Sequence, residues 1–318
     1  MHFRQAKVCL LGLLVLLTFS FAVAADEGAA PEIRVLFSGE VQGGFQPCGC
    51  AGGPTGGLAR RLGYRDSVLK SWGGPLIQID AGNYFADPGP DAEAINHLML
   101  ESLDRIPISV MNLGVADLYW WRMLSGRRSS GTQIISTNLV PRRAGIEPPK
   151  RFAVLEIPLG KDPSRTYRIG FLGLADPARV RPNSGFRATD PLEAVKQIKP
   201  EVMRQADTLV VLWDVIRPVG GTPADSPIRK LAEENPEISL IVTTERRDIL
   251  YDPAKLGNAT LVSGVERGRF MGDLRLRIES GGAVDVVDPK FIELKAGSPE
   301  NPEMLREQQN VASRIQAR

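Results

Sequence analysis

Along this chain, apolar residues fall into two alternating rhythms. Short runs rich in Val, Ile and Leu recur between stretches whose apolar positions repeat every three to four residues. The first rhythm predicts β-strands and the second amphipathic helices. Ile33–Ser38 reads as a first strand, followed by a Gly-rich loop and a helix from about Leu58 to Lys70. Pro75–Asp80 reads as a second strand, and Ala92–Leu103 as a helix with Ile95, Met99 and Leu103 on one face. Ile108–Leu113 and Gln133–Ser136 are further strands.

The middle changes character. Arg151–Leu159 and Tyr167–Leu174 alternate as a hairpin-like pair across Gly160-Lys161-Asp162-Pro163. A helix (Leu192–Ala206), a strand (Thr208–Trp213), a helix (Ile228–Glu234) and a strand (Ile238–Thr243) then restore the strand–helix alternation. The end is β-rich, over Thr260–Ser263, Gly272–Ile278 and Val284–Val287, before a polar segment that reads as a loose tail or a final helix. No internal repeat and no break in composition marks a second domain. The pattern predicts a single-domain layered α/β sandwich with mixed sheets.

The N-terminus has a separate logic. Arg4 and Lys7 precede an apolar run that ends at Ala22-Val23-Ala24, followed by Asp26 and Glu27. A charged start, a short apolar core and a small-residue site predict a secretory signal over residues 1–25. The run is short for a transmembrane anchor, and no later stretch is apolar for long enough to span a bilayer. A periplasmic or secreted protein is expected, with a linker over 26–32, one domain over 33–294 and a polar C-terminal tail over 295–318. About 290 residues remain once the signal is removed, room for one large α/β domain.

Composition narrows the partners. A 43% hydrophobic and 24% charged chain is that of a globular protein, and a formal net charge of +2 argues against a nucleic-acid partner. The sequence has two histidines, of which His97 alone lies beyond the signal segment. His97 sits in a helical stretch and reads as a packed or partly exposed helix residue. Cys48 and Cys50 are the cysteines left after cleavage.

Several short segments, taken in order, resemble the N-terminal catalytic domain of the 5′-nucleotidase branch of calcineurin-like metallophosphoesterases. Where that family has Asp-x-His-Gly after its first strand, this chain has Glu40-Val41-Gln42-Gly43. Its Asp-Ala-Gly-Asp appears as Asp80-Ala81-Gly82-Asn83, and its Asn-x-Gly-Asn-His-Asp as Asn112-Leu113-Gly114-Val115-Ala116-Asp117. A strand ending in Ser-His becomes Trp213-Asp214, and Gly-Gly-His-x-His becomes Thr243-Thr244-Glu245-Arg246-Arg247. Ser136-Thr137-Asn138-Leu139, Ile169–Leu174 and Gly268–Gly272 match softer landmarks. The resemblance runs to about Glu293 and implies a four-layer α/β/β/α sandwich of two mixed sheets. The family's usual C-terminal specificity domain is not expected.

The departures are systematic. Glu40, Gln42, Asn83, Val115, Ala116, Asp214, Glu245 and Arg247 stand where the resemblance would bring metal ligands or the catalytic histidine. Val115 and Ala116 offer no lone pair, and Arg247 would bring a fixed positive charge toward a metal position. Asp80, Asp117 and Asn138 persist as supporting residues. Glu40, Gln42, Asn83, Asp214 and Glu245 are oxygen donors, which suit one hard divalent cation better than a pair of transition metals. A decayed site and a rebuilt hydrolytic site both remain open, and no two-metal centre is expected.

The Gly-rich loop Pro47-Cys48-Gly49-Cys50-Ala51-Gly52-Gly53 leads through Gly56 and Gly57 to Leu58-Ala59-Arg60-Arg61. It resembles an exported bacterial subgroup with a Pro-Cys-Gly-Cys insertion; thiosulfohydrolases of the sulfur cycle share the wider fold. Thiols one residue apart can exchange, bind a soft metal or close a strained disulfide, and a structural disulfide is the plain alternative. Two thiolates fill half of a tetrahedral zinc site. Gly56, Gly57, Arg60 and Arg61 are candidates for holding an anion at the helix start. The expected function is a binding or redox-linked accessory module, with an active metal-dependent hydrolase and an inert partner-binding domain as alternatives. A periplasmic redox or protein partner is the expected kind of partner.

Overall fold

A computed structural model describes residues 30–50, 53–126, 131–160, 165–215, 226–244, 253–264 and 266–317. The signal segment, Glu245 and Arg247 lie outside the described residues, as does the side chain of Cys50. The chain opens with β1 (Glu32–Ser38), the short strands β2 (Cys48–Cys50) and β3 (Gly53–Thr55), and helix α1 (Leu58–Ser71). Then come β4 (Leu76–Asp80), α2 (Ala92–Arg105), β5 (Val110–Asn112), α3 (Trp121–Ser125), β6 (Gln133–Ile135) and β7 (Leu139–Pro141). The second half holds β8 (Phe152–Pro158), β9 (Thr166–Ala175), β10 (Phe186–Ala188), α4 (Pro191–Met203), β11 (Thr208–Asp214) and α5 (Pro227–Glu234). It closes with β12 (Ile238–Thr244), β13 (Ala254–Leu256), β14 (Ala259–Gly264), β15 (Phe270–Ile278), β16 (Val284–Glu293) and α6 (Pro302–Gln316).

Two six-stranded sheets organise the molecule. One has the order β16-β15-β1-β4-β5-β6 and the other β13-β14-β12-β11-β9-β8. Each is mixed. β1, β4, β5 and β6 run parallel, with β15 antiparallel to β1; β9, β11, β12 and β14 run parallel, with β8 and β13 antiparallel at the edges. Side chains alternate between faces along a strand. Ile33, Val35, Phe37, Ile77 and Ile79 of the first sheet therefore meet Ile169, Phe171, Val210, Leu212 and Val242 of the second in one central core.

The outer faces take the helices. Leu209, Val211 and Trp213 pack with Val195, Ile198, Val202, Ile228 and Leu231 of α4 and α5. Leu58 and Leu62 of α1, Leu98, Met99 and Leu103 of α2 and Met304 of α6 share a cluster with Met111 and Leu113. The layers run helix, sheet, sheet, helix, as expected. Strands buried on both faces read as unbroken apolar runs, and β11 and β12 are buried at every position.

Three local features differ from the reading of the sequence or resolve it. Part of the Gly-rich loop is a hairpin, with Cys48 opposite Thr55 and Cys50 opposite Gly53. β7 pairs with β10 as a small separate sheet; both are three residues long, too short to show a periodicity. The polar end is the helix α6, whose N-cap Asn301 accepts hydrogen bonds from the amides of Glu303 and Met304. Among the described residues, no helix is long and apolar enough to cross a membrane.

Candidate functional site: the strand-end pocket

The parallel strands of both sheets end on the same side of the molecule, where open α/β sheets place their ligands. The loop after β1 and the loop after β4 run together there. Glu40 N donates to Gly82 O, Gln42 N to Asn83 O and Gly43 N to Tyr84 O, at 2.9, 2.8 and 3.0 Å. This pairing holds three non-glycine residues in the left-handed region, Glu40 (φ 54°), Gln42 (φ 48°) and Asn83 (φ 58°). Such conformations cost roughly 1–3 kcal/mol each and persist only where the surroundings enforce them.

Asn83 ties the site together. Its Nδ2 donates to Glu40 Oε2 at 2.6 Å and to Asp214 Oδ1 at 2.9 Å, and its Oδ1 accepts from Ala116 N at 2.9 Å. Gln42 Nε2 donates to Glu40 Oε1 at 2.6 Å. Asp214, fully buried at the end of β11, also accepts from Thr244 Oγ1 at 2.7 Å and from Val115 N at 2.7 Å. Arg179 Nη1 completes the cluster by donating to Asp214 Oδ1. Glu40, Gln42, Asn83 and Asp214, separate in sequence, are thus gathered in one network.

Two buried aspartates brace the loops from behind. Asp117 accepts from the amides of Asn83, Gly114 and Phe85. Burial pushes its carboxyl well above the usual range, against the pull of the Phe85 and Gly114 amides, and the charges of Asp80 and Asp214 push the same way. Asp80 accepts from Ser38 Oγ at 2.5 Å and Gly82 N at 2.9 Å. Burial raises its pKa, and the Arg61 charge together with these hydrogen bonds opposes the shift. Asn138 works at a different place. It bridges Ala175 and Thr189, anchoring the end of β9.

In front of this network lies a pocket of about 260 Å³ lined by Gln42, Asn83, Asp87, Val115, Ala116, Tyr119, Arg179, Arg181 and Ser184. Arg179 and Arg181 come from the segment after β9 and were not among the sequence candidates, nor were Tyr119 and Thr244. The available signal was two arginines one residue apart, Arg179-Val180-Arg181, directly after a strand that ends at a site loop.

None of the described residues of the cysteine hairpin lines this pocket. Arg269 Nε donates to Thr55 Oγ1 and Arg60 Nη1 to Pro54 O, so two arginines clamp β3. The Cys48 thiol is free and partly exposed. His97 is exposed on α2.

The anion cradle expected at the start of α1 does not form. The amides of Gly56, Leu58 and Ala59 donate to Leu294 O, Phe45 O and Gln308 Oε1. The Arg60 guanidinium is committed to Glu300, Pro54 O and Leu294 O. Arg61 turns inward, fully buried, with Nη2 on Ser38 Oγ and its guanidinium beside the Tyr84 ring. The protein's own acceptors thus take these three amides and the Arg60 guanidinium, while Arg61 Nε and Nη1 are buried without a hydrogen-bond partner.

The strand-end network offers a cation little. Asp214 Oδ1 already takes three donors, and Glu40 accepts an amide hydrogen on each oxygen. A metal ion at Asp214 Oδ1 would meet the Arg179 guanidinium, which carries a permanent charge of the same sign. Among the described residues, no group of three or more His, Cys, Asp or Glu side chains is placed to hold a metal ion. Among the described residues, the carboxylates of this arrangement are already engaged by the protein's own donors.

Two facing mixed sheets with helices outside, and a site at the strand ends, define the calcineurin-like metallophosphoesterase fold. The calcineurin-like phosphoesterase YfkN from Bacillus subtilis superposes with a TM-score of 0.70 at 16% identity, over 90% of this chain and 98% of that one. The 5′-nucleotidase precursor from Thermus thermophilus gives 0.69 at 18% identity, over 90% of this chain and 59% of that one. In sequence, the chain is 30% identical over 113 residues to the uncharacterized metallophosphoesterase YunD of Bacillus subtilis (strain 168). That stretch is 35% of this chain and 23% of the relative, so the chain matches less than a quarter of that protein's length. No protein-family model matches the chain.

Proposed function

We propose that this is an exported protein in which the metallophosphoesterase fold serves as a binding or redox-linked accessory module rather than as a two-metal hydrolase. The observation that carries the reading is the Arg179–Asp214 contact at the end of β11. Two-metal hydrolysis places cations a few Å apart to clamp the attacking and leaving oxygens. Here a guanidinium provides the positive charge at one such position, and the amides of Gln42 and Asn83 occupy Glu40. The left-handed backbone at Glu40, Gln42 and Asn83 supports a site kept in working geometry, since a site without a role has no need to hold strain.

The redox arm of the reading rests on Cys48 and Cys50. They stand two positions apart on β2. An extended strand separates such positions by roughly 6.6 Å, near the upper end of the ~4.4–6.8 Å that a disulfide spans. A bond closed there is strained and easily reduced. Oxidation would release two electrons and two protons to a partner disulfide, leaving that partner as a dithiol. Export rests on the charged start, apolar run and small-residue site of residues 1–25.

Metal analysis and turnover on the protein purified from a periplasmic extract test the reading. Fewer than about one bound metal per chain and negligible hydrolysis of nucleotides and aryl phosphates are expected. Alkylation of Cys48 and Cys50 after equilibration with glutathione mixtures should show the pair reduced more readily than a structural disulfide. Two tightly held metals with brisk turnover that depends on Glu40 and Asp214 would instead establish a hydrolase.

A further inference from the structure

We propose that the strand-end pocket binds a small oxyanion, a phosphate or carboxylate group, without a metal ion. The inference rests on the reading that Arg179 provides positive charge at the site, and goes beyond it in naming what the pocket takes up. Arg179 and Arg181 both line this one pocket of about 260 Å³. Arg179 has Asp214 as its counter-charge. Arg181 does not share it. Its Nη1 donates to Tyr119 Oη at 3.2 Å, and among the described residues it has no carboxylate partner.

A guanidinium presents five N–H donors in a planar fork that matches a carboxylate or phosphate edge. With one nitrogen steadied by the Tyr119 phenol, the rest of the Arg181 fork remains for a ligand. Two guanidiniums on one cavity repel each other, and an anion between them turns that repulsion into attraction. The one acidic residue of the lining, Asp87, stands exposed on the loop after β4 and forms no ion pair with another described residue.

The floor of the pocket is already shaped. Asn83 is 1% exposed and held through both side-chain atoms, so it cannot swing out to fill the space. The Val115 and Ala116 amides are likewise committed, to Asp214 and Asn83. Recognition therefore falls to the arginine side of the pocket. The volume lies below the ~300–1,000 Å³ typical of drug-sized ligand sites. It suits an oxyanion carrying few further atoms.

Calorimetry on the full mature chain in EDTA, titrated with inorganic phosphate in one arm and malonate in the other, tests the proposal. At least one anion should bind, and R181L should weaken that binding about tenfold or more, which is ~1.4 kcal/mol. R181K should fall between the two, and the far-UV spectrum and melting temperature should stay those of the wild type. The stronger arm identifies the chemistry as phosphate or carboxylate. Binding that R181L leaves unchanged places the anion elsewhere and overturns the proposal. No binding in either arm, with or without added Mn²⁺, also overturns it while leaving the Arg179 reading intact. Binding that appears only with Mn²⁺ overturns both.

Discussion

At the scale of single residues, Asp214 shows how the site is held. One of its oxygens accepts from Asn83, Arg179 and Thr244, and the other from the Val115 amide. Asp214→Asn keeps the shape but removes the charge facing Arg179 and turns an amide donor toward one of these donors. Breaking a buried pair costs 3–5 kcal/mol, and because Arg179 keeps some contact with water, roughly 3 kcal/mol is expected here. Urea unfolding of the variant beside the wild type measures it. If the loss is below about 1 kcal/mol, the contact behaves as a surface ion pair and the network does not lock the site. Asp214, Asn83 and Glu40 could be singled out from the sequence through the resemblance. Arg179 is marked in the chain by its nearness to Arg181, but nothing near it marks which carboxylate it will meet.

At the scale of elements, α6 carries the clearest consequence. Its Met304 is fully buried among residues of α1 and α2, and its Gln308 accepts the Ala59 amide at the start of α1. Arg105 of α2 reaches Glu307, and Arg60 of α1 reaches Glu300 just ahead of the helix. Met304→Ala should lose about 3 kcal/mol in urea unfolding, within the ~2–5 kcal/mol cost of truncating a buried Met, Leu or Ile. A near-neutral result would mean that α6 docks only through its charges. The sequence left this segment open between tail and helix because its apolar residues are few. Met304, Val311 and Ile315 become a face only where α1 and α2 supply the opposite surface.

At the scale of the whole molecule, the two sheets approach closely at the strand ends. A Cβ on Gly264, the last residue of β14, would lie 2.4 Å from Gly39 N and 2.6 Å from Gly39 Cα, just past β1. The obstacle is backbone from the opposite sheet, so no side chain can turn aside to relieve it. Gly264→Ala should cost about 1–3 kcal/mol. It should also weaken anion binding by shifting β1 and the Glu40 loop against β11, and thermal unfolding followed by calorimetry reads both effects. An unchanged melting temperature would show that the sheets can separate there freely.

What the sequence determined by itself is the order and kind of the elements and the layers they form. Apolar runs such as Thr208–Asp214 and Ile238–Thr244 demand burial on both faces, and amphipathic stretches such as Ala92–Arg105 demand a sheet to cover. These are local requirements, readable over a few residues. Strand order, and with it the meeting of distant side chains, belongs to the tertiary structure. Asn83 finds Asp214 across 131 positions and Glu40 across 43. Arg179 reaches Asp214 because β9 and β11 are adjacent and parallel, which brings the segment after β9 beside the end of β11. The inward turn of Arg61 and the satisfied amides at the start of α1 were likewise decided by packing. A guanidinium or an amide goes to whichever acceptor the folded chain brings near, and the sequence names the donors without fixing that choice.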